Sequence, residues 1–338
     1  MQRPMVAMAR SGDLAAWLQY DEFSPQFDLF DFRANTGTTS TIDLHTTWFG
    51  GLAWGVSKRL RLSYQYSTSR QESSRQVEPR ALHTRYTGHE LRAQYTLWQR
   101  YPLMATIEAG YRAHTSGTEA FHAYFVGTTT QLSYVSINNL RYDGKTGNIS
   151  TTDGSPLATF QTKDRAWLVA GRLLYEPADN LNIAFGLELR RLTVEASFLV
   201  PALNTPGVLA LVQGFSKFQS FQQDIPQSTP WHETHILLQA ALNWQPWDRL
   251  TLGADLTHYQ IQRSGYIPSP KRPVQYNTAD QLDGYIFWRA FKHLTLYGHG
   301  RASTRYLLGD LPLAYNSRSN HRFGNPYGFL SAGGVLSF

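Results

Sequence analysis

Apolar and polar side chains alternate along most of the chain. In residues 59–67 four apolar or aromatic side chains alternate with four polar ones: Leu60, Leu62, Tyr64 and Tyr66 against Arg59, Arg61, Ser63 and Gln65. Because successive side chains of a β-strand point to opposite faces of the sheet, this period of two predicts strands with one apolar and one polar face.

The same pattern recurs and predicts about twelve strands. Clear examples lie in residues 41–56, 90–97, 105–114, 181–190, 235–244, 250–257, 282–289 and 294–305. A first strand is expected somewhere in 13–35, and the last in 327–338. An even number of antiparallel strands places both ends of the chain on the same side of a sheet or barrel.

Short and long connections alternate between the predicted strands. Tight turns are expected near 57–58, 99–102, 177–180, 246–249 and 291–293, and longer polar segments at 72–83, 117–160, 198–231, 264–277 and 309–325. This layout is typical of a transmembrane antiparallel β-barrel with short periplasmic turns and long extracellular loops. The strand-like segments 121–124 and 129–137 either extend neighbouring strands above the membrane, which we favour, or add a hairpin and raise the strand number to 14.

Composition agrees with this all-β membrane barrel. Aromatic residues make up 14% of the chain and charged residues 17%, below the roughly 25% charge of soluble domains. No stretch of 18 or more apolar residues is present, so no transmembrane helix is expected. A soluble sandwich would bury its apolar faces inside, and it would not need a dozen strands with charges on one continuous face.

We expect residues 1–338 to form a single barrel domain. Residues 1–12 are expected to be an N-terminal extension, and 117–160 and 198–231 to be long extracellular loops. The N-terminus lacks the apolar core of an export signal, which suggests a mature form, a recombinant form or a portion of a longer precursor. The absence of cysteine excludes a disulfide framework and a thiolate metal site.

Aromatic side chains cluster beside the predicted short turns. They are expected to form a periplasmic girdle at the membrane interface: Trp54, Trp98, Tyr101, Tyr175, Trp244, Trp247 and Trp288. Such a barrel would contact outer-membrane lipid and lipopolysaccharide.

The chain ends in GGVLSF, and the terminal Phe338 closes an alternating strand. This end resembles the C-terminal signature of Gram-negative outer-membrane β-barrels. The resemblance implies recognition by the barrel-assembly machinery and a location in the bacterial outer membrane, and it assigns no particular family.

The polar face predicts a charged lumen. The candidate pore-lining residues are Arg59, Arg61, Glu90, Arg92, Glu108, Arg112, Arg172, Glu188, Arg190, Asp255, Asp283, Arg289, Arg301 and Arg305. Together with the net charge of +6, this set predicts passive, mildly anion-selective diffusion of small hydrophilic solutes. In its arginine content the lumen resembles narrow channels such as the oligogalacturonate and sialic-acid porins. Alternatively, opposed arginines and carboxylates pair and fill a narrow barrel.

Two other functions remain open at this stage. The barrel could be a component of a polysaccharide or protein export assembly with partner subunits encoded elsewhere. It could also be a lipid hydrolase, because His114-Thr115-Ser116, with Glu108 nearby, has the His-x-Ser spacing of outer-membrane lipases and lipid A deacylases. The match is short and its side chains are predicted to face inward, so we expect no enzyme.

Motifs for other ligands are absent from the sequence. Asp43 and His45 are too few for a metal site, and no cofactor motif is found. The basic residues are spread along the chain rather than gathered on one face, so no nucleic-acid partner is expected.

Overall fold

The computed structural model describes residues 12–23, 40–75, 82–125, 127–128, 134–137, 139–199, 229–267, 277–304 and 327–337. Their strands are β1 Leu14–Phe23, β2 Ser40–Gly55, β3 Leu60–Arg75, β4 Leu82–Arg100, β5 Leu103–Ser116, β6 Glu119–Phe121, β7 Ala123–Phe125, β8 Tyr134–Ile137, β9 Leu140–Asp143, β10 Asn148–Thr151, β11 Ala158–Ala178, β12 Leu181–Leu199, β13 Trp231–Trp247, β14 Leu250–Ser264, β15 Thr278–Phe291, β16 Leu294–Ser303 and β17 Tyr327–Ser337.

Twelve long strands, β1–β5 and β11–β17, form one closed antiparallel barrel. Each pairs with its neighbour in the chain order, and β17 returns to β1 through a register that runs from Ala15↔Ser337 to Glu22↔Leu330. Closure leaves no free sheet edge, which is the condition for strands to cross a membrane. The predicted twelve-stranded barrel is confirmed. The barrel does not have the 14 strands of the alternative prediction.

All five predicted short turns are present, at 56–59, 101–102, 179–180, 248–249 and 292–293. The beginning of β1 and the end of β17 lie at the same end of the barrel as these turns, because Ala15 pairs with both Ala53 and Ser337. This is the periplasmic end in the layout of outer-membrane barrels.

The segment 117–160, predicted as a loop, contains regular structure. β6 pairs with the extracellular end of β11 and extends the wall, but it shares only Phe121 with the segments 121–124 and 129–137 that we expected to extend neighbouring strands; β7 and β8, which overlap these segments, lie in a different sheet. β7–β10 form a separate four-stranded sheet in the order β7-β10-β9-β8, which the sequence analysis did not predict. β11 begins at Ala158, inside the range assigned to the loop. The small sheet is possible because its own apolar side chains, Leu140, Tyr142 and Ile149, are buried.

Aspartate side chains cap the turns of this extracellular sheet. Asp143 accepts hydrogen bonds from the backbone N–H groups of Lys145 (2.9 Å) and Thr146 (3.4 Å). Asp153 accepts from the backbone N–H of Ser155 (3.0 Å) and the amide of Asn139 (2.9 Å). Hydrogen bonds from Ser155 and Asn139 to the charged form lower the pKa of Asp153 to about 2. These turns therefore keep their capping charge at any physiological pH.

The outer surface of the barrel is apolar around its middle. Large apolar side chains point outward from the barrel strands and are exposed, among them Leu18, Leu52, Leu91, Ile107, Val169, Leu187, Leu238, Leu256, Leu282 and Ile286. A belt of this kind around a closed barrel is typical of contact with hydrocarbon rather than with water. Among the described residues, no helix is long and apolar enough to cross a membrane.

Leu187→Arg tests the orientation of this belt. Leu187 pairs with Gly171 and Leu238, midway up the outer wall, where an arginine in lipid costs about 2–4 kcal/mol. We expect a loss of this size in the free energy of unfolding, measured by urea titration in lipid vesicles. The control is Thr193→Arg, six positions farther up the same face of β12, which should cost much less. Equal costs at both positions would contradict the assigned membrane depth.

Candidate functional site

The candidate site is the lumen, the inner face of the twelve barrel strands. Strand alternation turns charged and polar side chains inward at mid-height, and contacts between them leave almost none of their surface exposed. Asp283 is 0% exposed, and Glu188 and Arg301 are each 2% exposed. In a narrow barrel, inward side chains are long enough to fill the space between the walls. The described part of the lumen is therefore packed at this level.

Five side chains, which we call the ion-pair lock, meet on one side of the lumen: Glu90 and Arg92 of β4, Glu108 of β5, and Glu188 and Arg190 of β12. Arg92 donates through Nε to Glu90 and through Nη1 to Glu108. Its Nη1 also lies 3.7 Å from Glu188 Oε2. Arg190 Nη2 donates to Glu188 Oε1 at 2.6 Å.

The lock joins side chains of β4 and β5 to side chains of β12 across the intervening strand β11. This is possible because β11 carries small or aliphatic inward side chains at this height. Ala166, Leu168 and Ala170 of β11 are all buried on the inner face. Ala170 pairs with both Glu108 and Glu188, so the side chains on either side reach over its methyl group. Buried charges are tolerated only when paired and hydrogen-bonded, which the lock provides for Arg92.

A second cluster, the histidine cluster, lies on the other side of the lumen: Asp283 of β15, His299 and Arg301 of β16, and Ser331 of β17. Asp283 Oδ1 lies 2.6 Å from both His299 Nε2 and Arg301 Nε, and His299 Nδ1 lies 2.7 Å from Ser331 Oγ. The ring of Tyr285 stacks on the His299 ring at 4.5 Å.

Further polar contacts beside the histidine cluster link β16 to β1 across the barrel seam. Tyr297 donates its hydroxyl hydrogen to Gln19 Oε1 at 2.8 Å, and the Gln19 amide donates to Asp21 at 2.6 Å. Tyr297 also lies over Gly333, where a Cβ would overlap the ring and the Leu18 carbonyl oxygen. Only glycine at position 333 leaves room for this ring, so β17 and β1 close over it.

Two smaller charged groups occupy the extracellular part of the lumen. Glu233 lies 2.8 Å from His235 Nε2 and 3.1 Å from Arg263 Nε. His114 Nδ1 lies 3.1 Å from Asp164 Oδ2, and Arg112 Nη2 lies 3.9 Å from Asp164 Oδ1. Both groups pair residues from adjacent strands.

Below the lock the lumen is less tightly packed. Six inward side chains toward the periplasmic end are half-buried, and we call this region the periplasmic vestibule: Arg61, Gln94, Arg172, Gln239, Asn243 and Asp255. The charge of Arg172 lies within electrostatic range of Arg61, Glu188 and Asp255. Its Nε makes no hydrogen bond with any described residue.

The structure divides the predicted pore-lining residues among these regions. Glu90, Arg92, Glu108, Glu188 and Arg190 form the lock, Asp283 and Arg301 belong to the histidine cluster, and Arg61, Arg172 and Asp255 lie in the vestibule. Arg112 contacts Asp164. Arg59 precedes β3 and lies in the 56–59 turn, and Arg289 is exposed near the end of β15, so both belong to the periplasmic rim rather than to the packed lumen. Arg305 lies outside the described residues.

Sequence reasoning missed four charged lumen residues: Asp21, Asp164, Glu233 and Arg263. Asp164 lies between the outward Lys163 and Arg165, where charges on both faces hide the alternation. With these residues included, the charges on the described inner face are nearly balanced. Seven arginines (61, 92, 112, 172, 190, 263 and 301) face eight carboxylates (21, 90, 108, 164, 188, 233, 255 and 283). The expected positive excess is therefore confined to the vestibule and the rim.

The predicted girdle residues all lie near the short-turn end and are exposed: Trp54, Trp98, Tyr101, Tyr175, Trp244, Trp247 and Trp288. Their contact with the membrane interface stays a prediction. Phe338, the predicted assembly signal, lies outside the described residues, as do 1–11 and most of the loop 198–231.

The geometry gives the hydrolase alternative no support. Ser116 Oγ accepts a hydrogen bond from the Thr162 backbone N–H at 2.8 Å, and no hydrogen bond joins it to His114 among the described residues. Ser116 is buried inside the barrel, away from lipid. No group of three potential metal ligands occurs in the described part of the chain, and the side chains of Asp43 and His45 lie outside it.

No family model and no curated protein sequence matches this chain, but solved structures do. The translocator domain of the autotransporter NalP from Neisseria meningitidis has a TM-score of 0.54 at 7% identity, over 96% of this chain and 87% of that domain. The beta domain of the Bordetella autotransporter BrkA has a TM-score of 0.51 at 10% identity, over 97% and 100% of the two chains.

At these identities the likeness shows the fold, which is that of a Gram-negative outer-membrane β-barrel. The apolar belt and the closed sheet agree with it. The chain therefore has the fold of the bacterial outer-membrane β-barrels.

Replacement of Arg92 tests the lock. In Arg92→Met the carboxylates of Glu90 and Glu108 lose their buried partner, and breaking a buried pair in this way costs about 3–5 kcal/mol. We expect this loss in the free energy of unfolding, measured by urea titration in lipid vesicles. Arg165→Met, on the outside of β11, is the matched control and should change stability little. A negligible effect of Arg92→Met would show that the lock does not stabilise the barrel.

Proposed function

We propose that this barrel conducts small hydrophilic solutes passively across the outer membrane, with a mild preference for anions, and that the ion-pair lock closes it in the conformation described. The observation that carries the proposal is the division of the lumen. A cationic, partly accessible vestibule leads to a layer sealed by paired side chains. Such a layer can open by side-chain rearrangement alone, without unfolding any part of the wall.

The preference for anions rests on the vestibule and the rim. Arg61 and Arg172 outnumber Asp255 in the vestibule, and Arg59 and Arg289 add charge at the rim. Arginine is suited to carboxylate and phosphate groups because its guanidinium donates two parallel hydrogen bonds. The lock, with three glutamates and two arginines, has a net charge of −1 and opposes the preference, which is why the selectivity is mild.

A second candidate is the barrel component of a polysaccharide or protein export assembly. Two observations support it: the fold shared with autotransporter translocator barrels, and the extracellular sheet β7–β10, which offers partner subunits a surface. In this role the sealed lumen would open only with the partner in place.

Opening of the lock should be visible in planar bilayers. The double variant Glu188→Ala/Arg190→Ala removes a matched pair, so no new uncompensated charge is left by the two truncations. We expect rare or small conductance steps for the unmodified chain and several-fold larger steps for this variant. Lys58→Ala/Arg100→Ala, at the exposed periplasmic end, is the control and should behave as the unmodified chain. If neither the lock variant nor the control variant shows conductance steps, the channel proposal is overturned and the export role is favoured. Heat-modifiable electrophoretic mobility verifies that each protein is folded.

Selectivity should depend on the vestibule. A unit charge a few ångströms from a permeating ion in water is worth on the order of 1 kcal/mol. We therefore expect Arg61→Gln/Arg172→Gln to lower the anion-to-cation permeability ratio by about fivefold or more, measured as a reversal potential in a KCl gradient. Arg165→Gln/Arg191→Gln, on the outside of the barrel, should leave the potential unchanged. An unchanged potential in the vestibule variant would mean that these arginines lie off the solute path.

A further inference from the structure

We propose that the outer wall formed by β4, β5, β11 and β12 carries a binding site for the phosphorylated glucosamine headgroup of lipid A in the surrounding lipopolysaccharide. Four exposed cations point outward from its extracellular half: Arg85 of β4, Lys163 and Arg165 of β11, and Arg191 of β12. We call them the basic patch. The proposal is independent of whether the lumen conducts.

The height of the patch matches the headgroup layer. Ten residue steps along β11 separate Arg165 from Tyr175 of the predicted girdle. At about 3.3 Å per residue and a strand tilt of about 40°, this is about 25 Å along the membrane normal, which is the height of the apolar band of outer-membrane barrels. Arg165 and Lys163 therefore lie where the acyl chains end and the phosphates of the outer leaflet begin.

Three of the cations lie close together across the β11–β12 pair. Arg165 pairs with Thr193 and Trp167 pairs with Arg191, so Arg165 and Arg191 are diagonal neighbours, about 7–8 Å apart at their Cβ atoms or somewhat less. Lys163 follows two positions along the same face of β11. Their side chains can converge on one phosphate group with several charge-assisted hydrogen bonds.

The patch is neutralised only in part. Within the described part of the chain none of its four cations takes part in an ion pair, whereas the lumen arginines Arg92, Arg190 and Arg301 do. Glu195, which pairs with Lys163 across the strands, is the carboxylate nearest the patch on the outer face. It leaves a clear positive excess for an anionic ligand.

Aromatic and apolar side chains continue the site into the membrane. Trp167 is 69% exposed, and its ring contacts the Tyr111 ring of β5 at 4.7 Å. Val169 and Leu189 follow below. Cations above, aromatic rings at the boundary and aliphatic side chains beneath match the order of phosphate, sugar and acyl chain in lipid A.

The opposite wall shows no such arrangement. At this height the outward charges of β1, β14 and β15 are Glu22 and a pair of His258 with Asp280, 2.7 Å apart. No arginine or lysine points outward there among the described residues of β1, β14, β15 and β16. Nonspecific attraction to the membrane surface does not require this asymmetry, whereas a specific lipid site does.

Binding of purified lipid A to the detergent-solubilised full chain tests the proposal. We expect bisphosphorylated lipid A to be retained more strongly than the monophosphorylated form. The triple variant Lys163→Gln/Arg165→Gln/Arg191→Gln should bind the bisphosphorylated form at least about tenfold more weakly, because it loses three charge-assisted contacts. The control triple, Lys58→Gln/Arg100→Gln/Arg249→Gln, removes the same charge at the periplasmic end and should bind as the unmodified chain. Inorganic phosphate at matched concentration should not compete.

Three outcomes would overturn the proposal: equal binding by the patch variant, equal loss in the control, or full competition by inorganic phosphate. The heat-modifiable electrophoretic mobility of each variant verifies that it is folded. If the triple variant does not fold, the single changes Arg165→Gln and Arg191→Gln, both at exposed positions, are compared instead, and each should weaken binding several-fold.

Discussion

Backbone hydrogen bonding in a medium without water is the constraint on which the structure depends. Each N–H and C=O group within the hydrocarbon layer must find a partner in the protein, and the pairing of β17 with β1 supplies the last set. Once the sheet is closed, each strand has one face toward lipid and one toward the lumen. The apolar belt and the polar interior both follow from this condition.

Closure also determines what the interior can be. Twelve strands enclose a narrow space, and the inward side chains are long and charged. The molecule meets the cost of burying them by pairing: Arg92 with three carboxylates, and Asp283 with His299 and Arg301. Where β11 presents alanines, charged side chains from both neighbours extend over it. The seal is thus made by side chains, and the wall itself remains regular around it.

The fold was largely predictable from the sequence, because lipid on one side imposes a period of two that survives in every long strand. Residues 59–67 and 181–190 illustrate it. The extracellular sheet β7–β10 was not predictable, since strands of three or four residues give too few alternations to register. The lumen was predictable only in part. Arg92 and Glu188 could be assigned to the inner face, but their meeting across β11 depends on strand order and register. Asp164 and Glu233 were overlooked because polar residues occupy both faces where the strands rise above the membrane.

The lock also bears on how the barrel is built. β4 and β5 form a hairpin joined by the 101–102 turn, and within it Arg92 already contacts Glu90 and Glu108. The guanidinium therefore has counter-ions within its own hairpin and does not depend on Glu188 of β12, some ninety residues later in the chain, for its first partners. A hairpin whose buried charges are already paired has a smaller electrostatic barrier to membrane insertion than a hairpin whose charges have partners only on distant strands.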